Sequence, residues 1–485
     1  MGKHYNIIVI GAGAGAKIST PSSNLGLKVA LCEKGRLGGT CLNRGCIPSK
    51  MLIHPSEVAI QTEESGMYDI EASVNKVNFS NLINRVKDVI DEESLSINPK
   101  IEANPNIDWY REPAAFINEK EIKVGDQVIT GDKIFIAAGA RPQIPDIEGL
   151  KDTPYMTSTE ALYTPKQHKR MIVIGGGIIS VELGSFFAGL GTEVHQFVRS
   201  EFIRHEDEEV VKEFSRMYEE RKRINVVKKA KITKVEYEKE IFKMHYTTAE
   251  GEKKTIEAEA LLVATGVVPN TDILNVEKAG IKMRKGGYIE INNKLETNVK
   301  NIWAFGDIAS KYQFRHAANF EGEYLFETII NNEAYAKENN GDATPYELDY
   351  TGMPHAIFSY PQVASVGLSE KECKEQGIDY VKGVNKYQWS AMGMALRSDL
   401  SGGLCKLIIE KKTRKILGCH IVGHEASVLL HEVTPLIRMG GKLDDILYSI
   451  HVHPALSEIV RNAARRAKNA LIDAGDDVPL RLRGK

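Results

Sequence analysis

The stretch Gly38-Gly39-Thr40-Cys41-Leu42-Asn43-Arg44-Gly45-Cys46-Ile47-Pro48-Ser49-Lys50 carries two cysteines separated by four residues, between a glycine-rich approach and a proline-led helix start. Sulfurs at that spacing can close a small, strained and easily reduced ring beside a helix N-terminus. The partial positive charge of that terminus and the full charge of Lys50 stabilise a thiolate and lower its pKa. The plainer alternatives are a structural disulfide or half of a zinc site. Zinc needs further ligands at paired spacing, and Cys32, Cys373, Cys405 and Cys419 all stand isolated, so no metal is expected. A redox role is favoured because of what flanks the pair.

Both flanks read as nucleotide-binding units. Upstream, Tyr5 to Ile10 is a short apolar strand running into Gly11-Ala12-Gly13-Ala14-Gly15-Ala16, and a second β run from Lys28 to Cys32 ends at Glu33. Gly11, Gly13 and the small Ala16 let a tight turn bring backbone N–H groups and a helix N-terminus against a pyrophosphate. Glu33, 22 residues after Gly11, falls where an acid accepts hydrogen bonds from a ribose. Ser19-Thr20-Pro21-Ser22-Ser23 forms helix poorly, and Pro21 is expected to kink or interrupt the helix after the glycines. Downstream, Arg170 to Glu182 (RMIVIGGGIISVE) repeats the strand–glycine–helix grammar, with Gly175 and Gly177 in the turn and Ser180 replacing the third glycine. The strand Glu193 to Val198 then ends without an acid. Arg199 and Arg204 follow it, with Glu201 between them. Arginines there grip a 2′-phosphate that a carboxylate would repel, so NADPH is expected ahead of NADH.

Other segments extend the pattern. A helical patch spans Phe79 to Ile97, and strand signals lie at Ile107 to Tyr110 and Glu121 to Val128. Lys133 to Ala140 (KIFIAAGA) and Ala260 to Asn270 (ALLVATGVVPN) are apolar strands ending in small residues, and their likeness points to two similar modules in tandem. Asp307 closes Asn301-Ile302-Trp303-Ala304-Phe305-Gly306-Asp307, where an acid at a strand end could hold the sugar-like chain of a flavin. From about Tyr350 the chain turns to strands with tight turns, as in Gly403 to Gly423, and amphipathic helices without a nucleotide motif. In His451-Val452-His453-Pro454-Ala455-Leu456-Ser457-Glu458, Pro454 suits a first helical position, and Glu458 can orient the His453 imidazole as a general base requires.

At 485 residues the chain should divide into about three domains, and 42% hydrophobic with 26% charged residues is ordinary for a globular protein. A net charge of -2 argues against nucleic acid as partner, and no apolar run approaches the ~18 residues of a membrane span. Six cysteines are too few for a secreted disulfide scaffold, and Met1 to Tyr5 runs into a strand without a signal sequence. A reducing cytoplasm is the expected compartment.

With GGTCLNRGCIPSK, two dinucleotide fingerprints, ATG, FGD and HPALSE in this order, the chain resembles the flavin-dependent pyridine nucleotide–disulfide oxidoreductases along essentially its full length. Within them it is similar to the branch of dihydrolipoamide dehydrogenase and mycothione reductase. PNIDWYR, FIRHEDE and RHAANFEG look more like the NADPH-using mycothione reductase. The resemblance implies an α/β fold with FAD-binding (1–149), NAD(P)-binding (150–276), second FAD/central (277–348) and α+β dimerisation (349–485) segments. It implies FAD and NADPH or NADH as cofactors, with Gly39, Thr40, Lys50, Gly139 and Gly266 added to the contacts named above. It implies a Cys41–Cys46 redox disulfide, with Cys46 the flavin-facing thiolate and Cys41 the thiol that attacks substrate. His453, oriented by Glu458, would act from the partner subunit of an obligate homodimer, while Lys50 and Glu182 would pair beside the flavin. The substrate would be a small-molecule or lipoyl disulfide. Without an amino-terminal metal-binding domain, a terminal Cys pair or a carboxy-terminal redox tail in this sequence, mercuric reductase and large thioredoxin reductases are not the expected relatives. Two other readings stand beside it: a structural subunit of a lipoyl-bearing complex, and an NAD(P)H oxidase or diaphorase with idle cysteines.

Overall fold

The computed structural model describes residues 2–475, so the closing stretch Leu480 to Lys485 lies outside the described residues. Strands β1 (Lys3–Ile10) and β2 (Val29–Cys32) are apolar runs joined by the glycine turn and helix α1 (Ala16–Asn24). They pair in parallel, as strands buried on both faces do. The sheet continues through β3 (Ile107–Tyr110) on one side and β6 (Gln127–Ile136) on the other. β6 is long enough to serve two neighbours. Its first half pairs antiparallel with β5 (Glu121–Val124), which carries β4 (Ala114–Phe116), and its second half pairs in parallel with β16 (Ile302–Ala304). The strand expected over Glu121 to Val128 is therefore two strands, split by a turn at Gly125, whose φ is +58°. The KIFI of KIFIAAGA is the end of β6 and not a separate strand, and the small residues after it lead into the next.

Pro21 does not interrupt α1. It removes one backbone donor, while the hydroxyls of Ser22 and Ser23 donate to the carbonyls of Ile18 and Thr20 and keep the flanking turns closed.

The second glycine turn follows β8 (Arg170–Ile174) in a parallel sheet of order β10-β9-β8-β14, with β9 at Glu193–Val198, β10 at Ile224–Lys228 and β14 at Ala260–Val263. An antiparallel sheet, β11 (Lys231–Glu238), β12 (Ile241–Thr247) and β13 (Lys253–Ala258), adjoins it. The two crossings between the sheets run side by side as β7 (Ala140–Pro142) and β15 (Val267–Pro269), an antiparallel pair. This is why KIFIAAGA and ALLVATGVVPN look alike.

Helices α2 (Gly39–Arg44), α3 (Cys46–Glu63) and α4 (Phe79–Leu95) sit between the two nucleotide units. Leu52, Ile53, Phe79 and Ile83 pack into one core with Val181, Phe186 and Phe187 of the second fingerprint helix, α5 (Ile178–Gly189). The approach is close because α5 ends in Gly189: a Cβ there would stand 2.1 Å from the Ser56 hydroxyl of α3. That hydroxyl donates to the carbonyls of Ser185 and Phe186.

The last third is an antiparallel sheet of order β17-β18-β21-β20-β19. Its members are β17 (Pro354–Ile357), β18 (Gln362–Gly367), β19 (Tyr380–Lys386), β20 (Leu404–Glu410) and β21 (Ile416–Gly423). Its core strand β20 carries a fully buried cation, Lys406. Asp207 and Glu209 at 2.8 Å, with Glu370, surround the ammonium and tie the start of helix α6 (Glu208–Glu219) to this sheet. These three acids form the one cluster among the described residues whose spacing would suit a metal ion. A lysine fills it. The final helix, α8 (Glu458–Asp473), starts four residues later than Pro454 suggested. Pro454 instead stands in the loop before it, behind a cis peptide bond.

Candidate active site

Cys41 lies in α2, half-buried, and Cys46 is the first residue of α3, where it opens on to a cavity of about 640 Å³. Ile47, Lys50, Met51, His54, Pro55, Arg85 and Phe358 line the same space. Both cysteines are thiols here, in hydrogen-bonding range of each other. The S–H of Cys41 donates to the Cys46 sulfur, and this contact, against a desolvation penalty and with help from the Lys50 charge, lowers the Cys46 pKa to about 7. The same contact, then burial, pushes Cys41 far up, while the charges of Arg315 and Lys50 pull it down. Of the two, Cys46 is the more readily ionised.

Lys50 is one turn along α3. Its ammonium donates to both Glu182 oxygens, at 3.0 and 2.8 Å. Glu182 is 6% exposed in a helix that is otherwise almost wholly apolar. A carboxylate in that setting requires a cation and further donors. The Phe358 backbone N–H supplies one at 2.8 Å, and the Phe358 ring lies 4.6 Å from the Lys50 nitrogen.

The first glycine turn forms a cradle. Gly11, at φ +104°, has the Ala137 carbonyl 2.3 Å from where a Cβ would be. Gly39, at φ +65°, comes so close to Gly13 that a Cβ would stand 2.5 Å from its Cα. The cysteine segment and the cradle thus touch. On Gly13 itself a Cβ would meet nothing nearer than 3.7 Å, which leaves open the face that a pyrophosphate approaches. Glu33 stands at the rim, accepting the N–H of Ala12 at 2.9 Å and of Gly35 at 2.8 Å, with lone pairs left for a ribose. Ala16 begins α1, and Thr40 follows Gly39 in α2. Asp307 follows β16, and burial raises its pKa; among the described residues it has no hydrogen-bond partner. Its loop is held by the fully buried Glu321, which accepts from the Gly306 N–H at 2.7 Å, the Ser310 hydroxyl at 2.6 Å and the Tyr350 hydroxyl at 2.5 Å.

The second turn places Gly175 and Gly177 after β8. Ser180 is fully buried in α5, its hydroxyl donating to the Gly177 carbonyl at 2.7 Å, so the replaced glycine still closes the turn. Arg199 follows β9 directly and is exposed, as is Arg204, whose Nε lies 3.3 Å from the His205 ring. Gly139 and Gly266 stand at the entries to β7 and β15.

His453 is not brought to the cysteines of its own chain. Its Nδ1 is 3.0 Å from both Glu458 oxygens, and its side chain is 71% exposed. Ile450 and Val452 beside it are 99% and 74% exposed. The loop is braced by His451, whose Nε2 meets Glu432 at 2.5 Å.

Comparison with known proteins decides the family. Residues 5–322 match the pyridine nucleotide-disulphide oxidoreductase family, and residues 353–464 match its dimerisation domain. The chain belongs to the pyridine nucleotide-disulphide oxidoreductases. It is 33% identical to the dihydrolipoyl dehydrogenase of Staphylococcus aureus over 95% of this chain and 96% of that protein. It is 32% identical to the mercuric reductase of Lysinibacillus sphaericus, over 95% of this chain and 82% of that one. Among solved structures it is similar to the HOCl-induced flavoprotein disulfide reductase RclA from Escherichia coli, with a TM-score of 0.81 and 25% identity over 95% of this chain and 99% of that one.

As a member of this family the protein binds FAD and NAD(P)H. Its first cradle fits FAD, since the open face of Gly13, the ribose-facing Glu33 and the unpartnered Asp307 offer what a dinucleotide's phosphates and hydroxyls need. Sequence reasoning missed Phe358, which reaches the site from a segment without a motif, and Arg315, which opens the RHAANFEG block but was given no role there.

Proposed function

We propose that the protein is an NADPH-dependent reductase of a small or protein-borne disulfide, working through a Cys41–Cys46 disulfide. The supporting observation is the pair of free cysteines, with Cys46 on the cavity beside Lys50, its pKa lowered, and that of Cys41 raised. FAD, when bound, supplies the two-electron relay that returns the cysteines to the dithiol form. With its pKa raised, Cys41 needs a base before it can attack. His453, oriented by Glu458, has the required chemistry, and its exposure beside two bare apolar side chains suits delivery from a second subunit. The reading is a homodimer in which the partner subunit's His453 takes the Cys41 proton. The Cys41 thiolate then attacks the substrate disulfide, forms a mixed disulfide and expels one thiolate, which takes that proton back. The Cys46 thiolate next attacks the Cys41 sulfur, closes the Cys41–Cys46 bond and releases the second thiolate to be protonated by solvent. Arg199 and Arg204, at the end of β9, support NADPH as donor. The four-segment division at 149, 276 and 348, and a cytoplasmic, reducing compartment, belong to the same proposal.

The test is Cys41→Ser, assayed with NADPH against lipoamide, glutathione disulfide, mycothione and bis-γ-glutamylcystine, with quinone reduction in parallel. Disulfide reduction should vanish and quinone reduction persist. Disulfide reduction at the wild-type rate would refute the mechanism.

A further inference from the structure

Helix α7 (Arg315–Leu325) begins with Arg315 and His316, and its first turn holds no acid. A cation at a helix N-terminus is opposed by the positive end of the macrodipole, so its position calls for an anion. The protein provides none: among the described residues no carboxylate lies within ion-pair distance of Arg315, which is half-buried. The guanidinium instead points at the first cradle. Its Nη1 is 3.7 Å from where a Cβ on Gly13 would stand. The second glycine of this turn lacks a side chain so that a pyrophosphate can reach the backbone, which makes that Cβ position the phosphate face of the site. Its charge is also felt at Cys41.

We infer that Arg315 is a clamp on the FAD diphosphate, donating charge-assisted hydrogen bonds across the open face of Gly13. A guanidinium matches two phosphate oxygens in one plane, and the bound diphosphate supplies the negative charge that the first turn of α7 lacks. This assignment rests on the family's use of FAD and not on the disulfide proposal. The two fail separately: a protein that reduces no disulfide can still show the clamp.

The experiment is titration of FAD-stripped protein with FAD and with riboflavin, which has no phosphate. Arg315→Gln should weaken oxidised FAD by about tenfold to a hundredfold, the range for a lost charged hydrogen bond, and leave riboflavin affinity unchanged. Arg315→Lys should restore part of the loss, and the midpoint potential of the bound flavin should not move. Unchanged FAD affinity would overturn the assignment, as would equal weakening of FAD and riboflavin, the signature of a merely structural role. A shifted midpoint potential with oxidised FAD affinity intact would also overturn it, by placing the charge at the flavin ring.

Discussion

Removing the Cys41 thiol should raise the pKa of Cys46 more than removing the Lys50 charge does. Cys46 stands at about 7 against an ordinary 9.0, a shift in favour of the thiolate. The largest favourable contribution is the hydrogen bond from Cys41, ahead of the Lys50 charge, while the Glu182 charge acts in the opposite sense. Cys41→Ala should therefore move the midpoint up from about 7 toward 9.0, Lys50→Met should move it up by less, and Glu182→Gln should move it down. The assay is alkylation of Cys46 in reduced protein across pH, followed by mass spectrometry. Thiolate, and with it the alkylation rate, grows as pH rises through the midpoint. At pH 7 a full two-unit loss would cut the thiolate fraction from about one half to about one per cent. The midpoint and not the rate at one pH is diagnostic, because a more basic thiolate is also more nucleophilic. A midpoint still near 7 in Cys41→Ala, or a larger rise in Lys50→Met, would refute the account of how this sulfur is ionised.

Two further outcomes follow from other parts of the molecule. Arg199→Ala with Arg204→Ala should raise KM for NADPH by about 1 to 3 kcal/mol more than for NADH; equal effects in steady-state kinetics would remove the case for NADPH. Lys406→Met should destabilise the fold by about 3 to 5 kcal/mol in denaturant unfolding, since the buried Asp207 would lose its cation and Lys382 would be left to pair with Glu209 and Glu370 alone.

The amino-acid order by itself determined the chemistry that is local in the chain. The cysteine spacing, both glycine turns, the residues that follow the second strand of each unit, Glu33 and Arg199, and the His453–Glu458 pair all lie within short segments, where residue type and spacing carry the information. Local reading also had local errors. Pro21 looked like a helix breaker because the serine hydroxyls that close its turns are a matter of geometry, and Pro454 looked like a helix start because a cis peptide bond leaves no mark in the residue pattern. What only the tertiary structure decided is which distant segments meet. Lys50 faces Glu182 because α3 and α5 pack through Ser56 and Gly189. Phe358 enters the site from a strand end that no motif announces, and Arg315 from a helix start whose RHAANFEG block does not say where its side chain goes. Lys406 reads as a surface lysine until three acids from other segments close around it. Charge pairing and desolvation depend on distances in space, so the contacts that set the ionisation of the redox pair and hold the modules together exist only once the chain is folded.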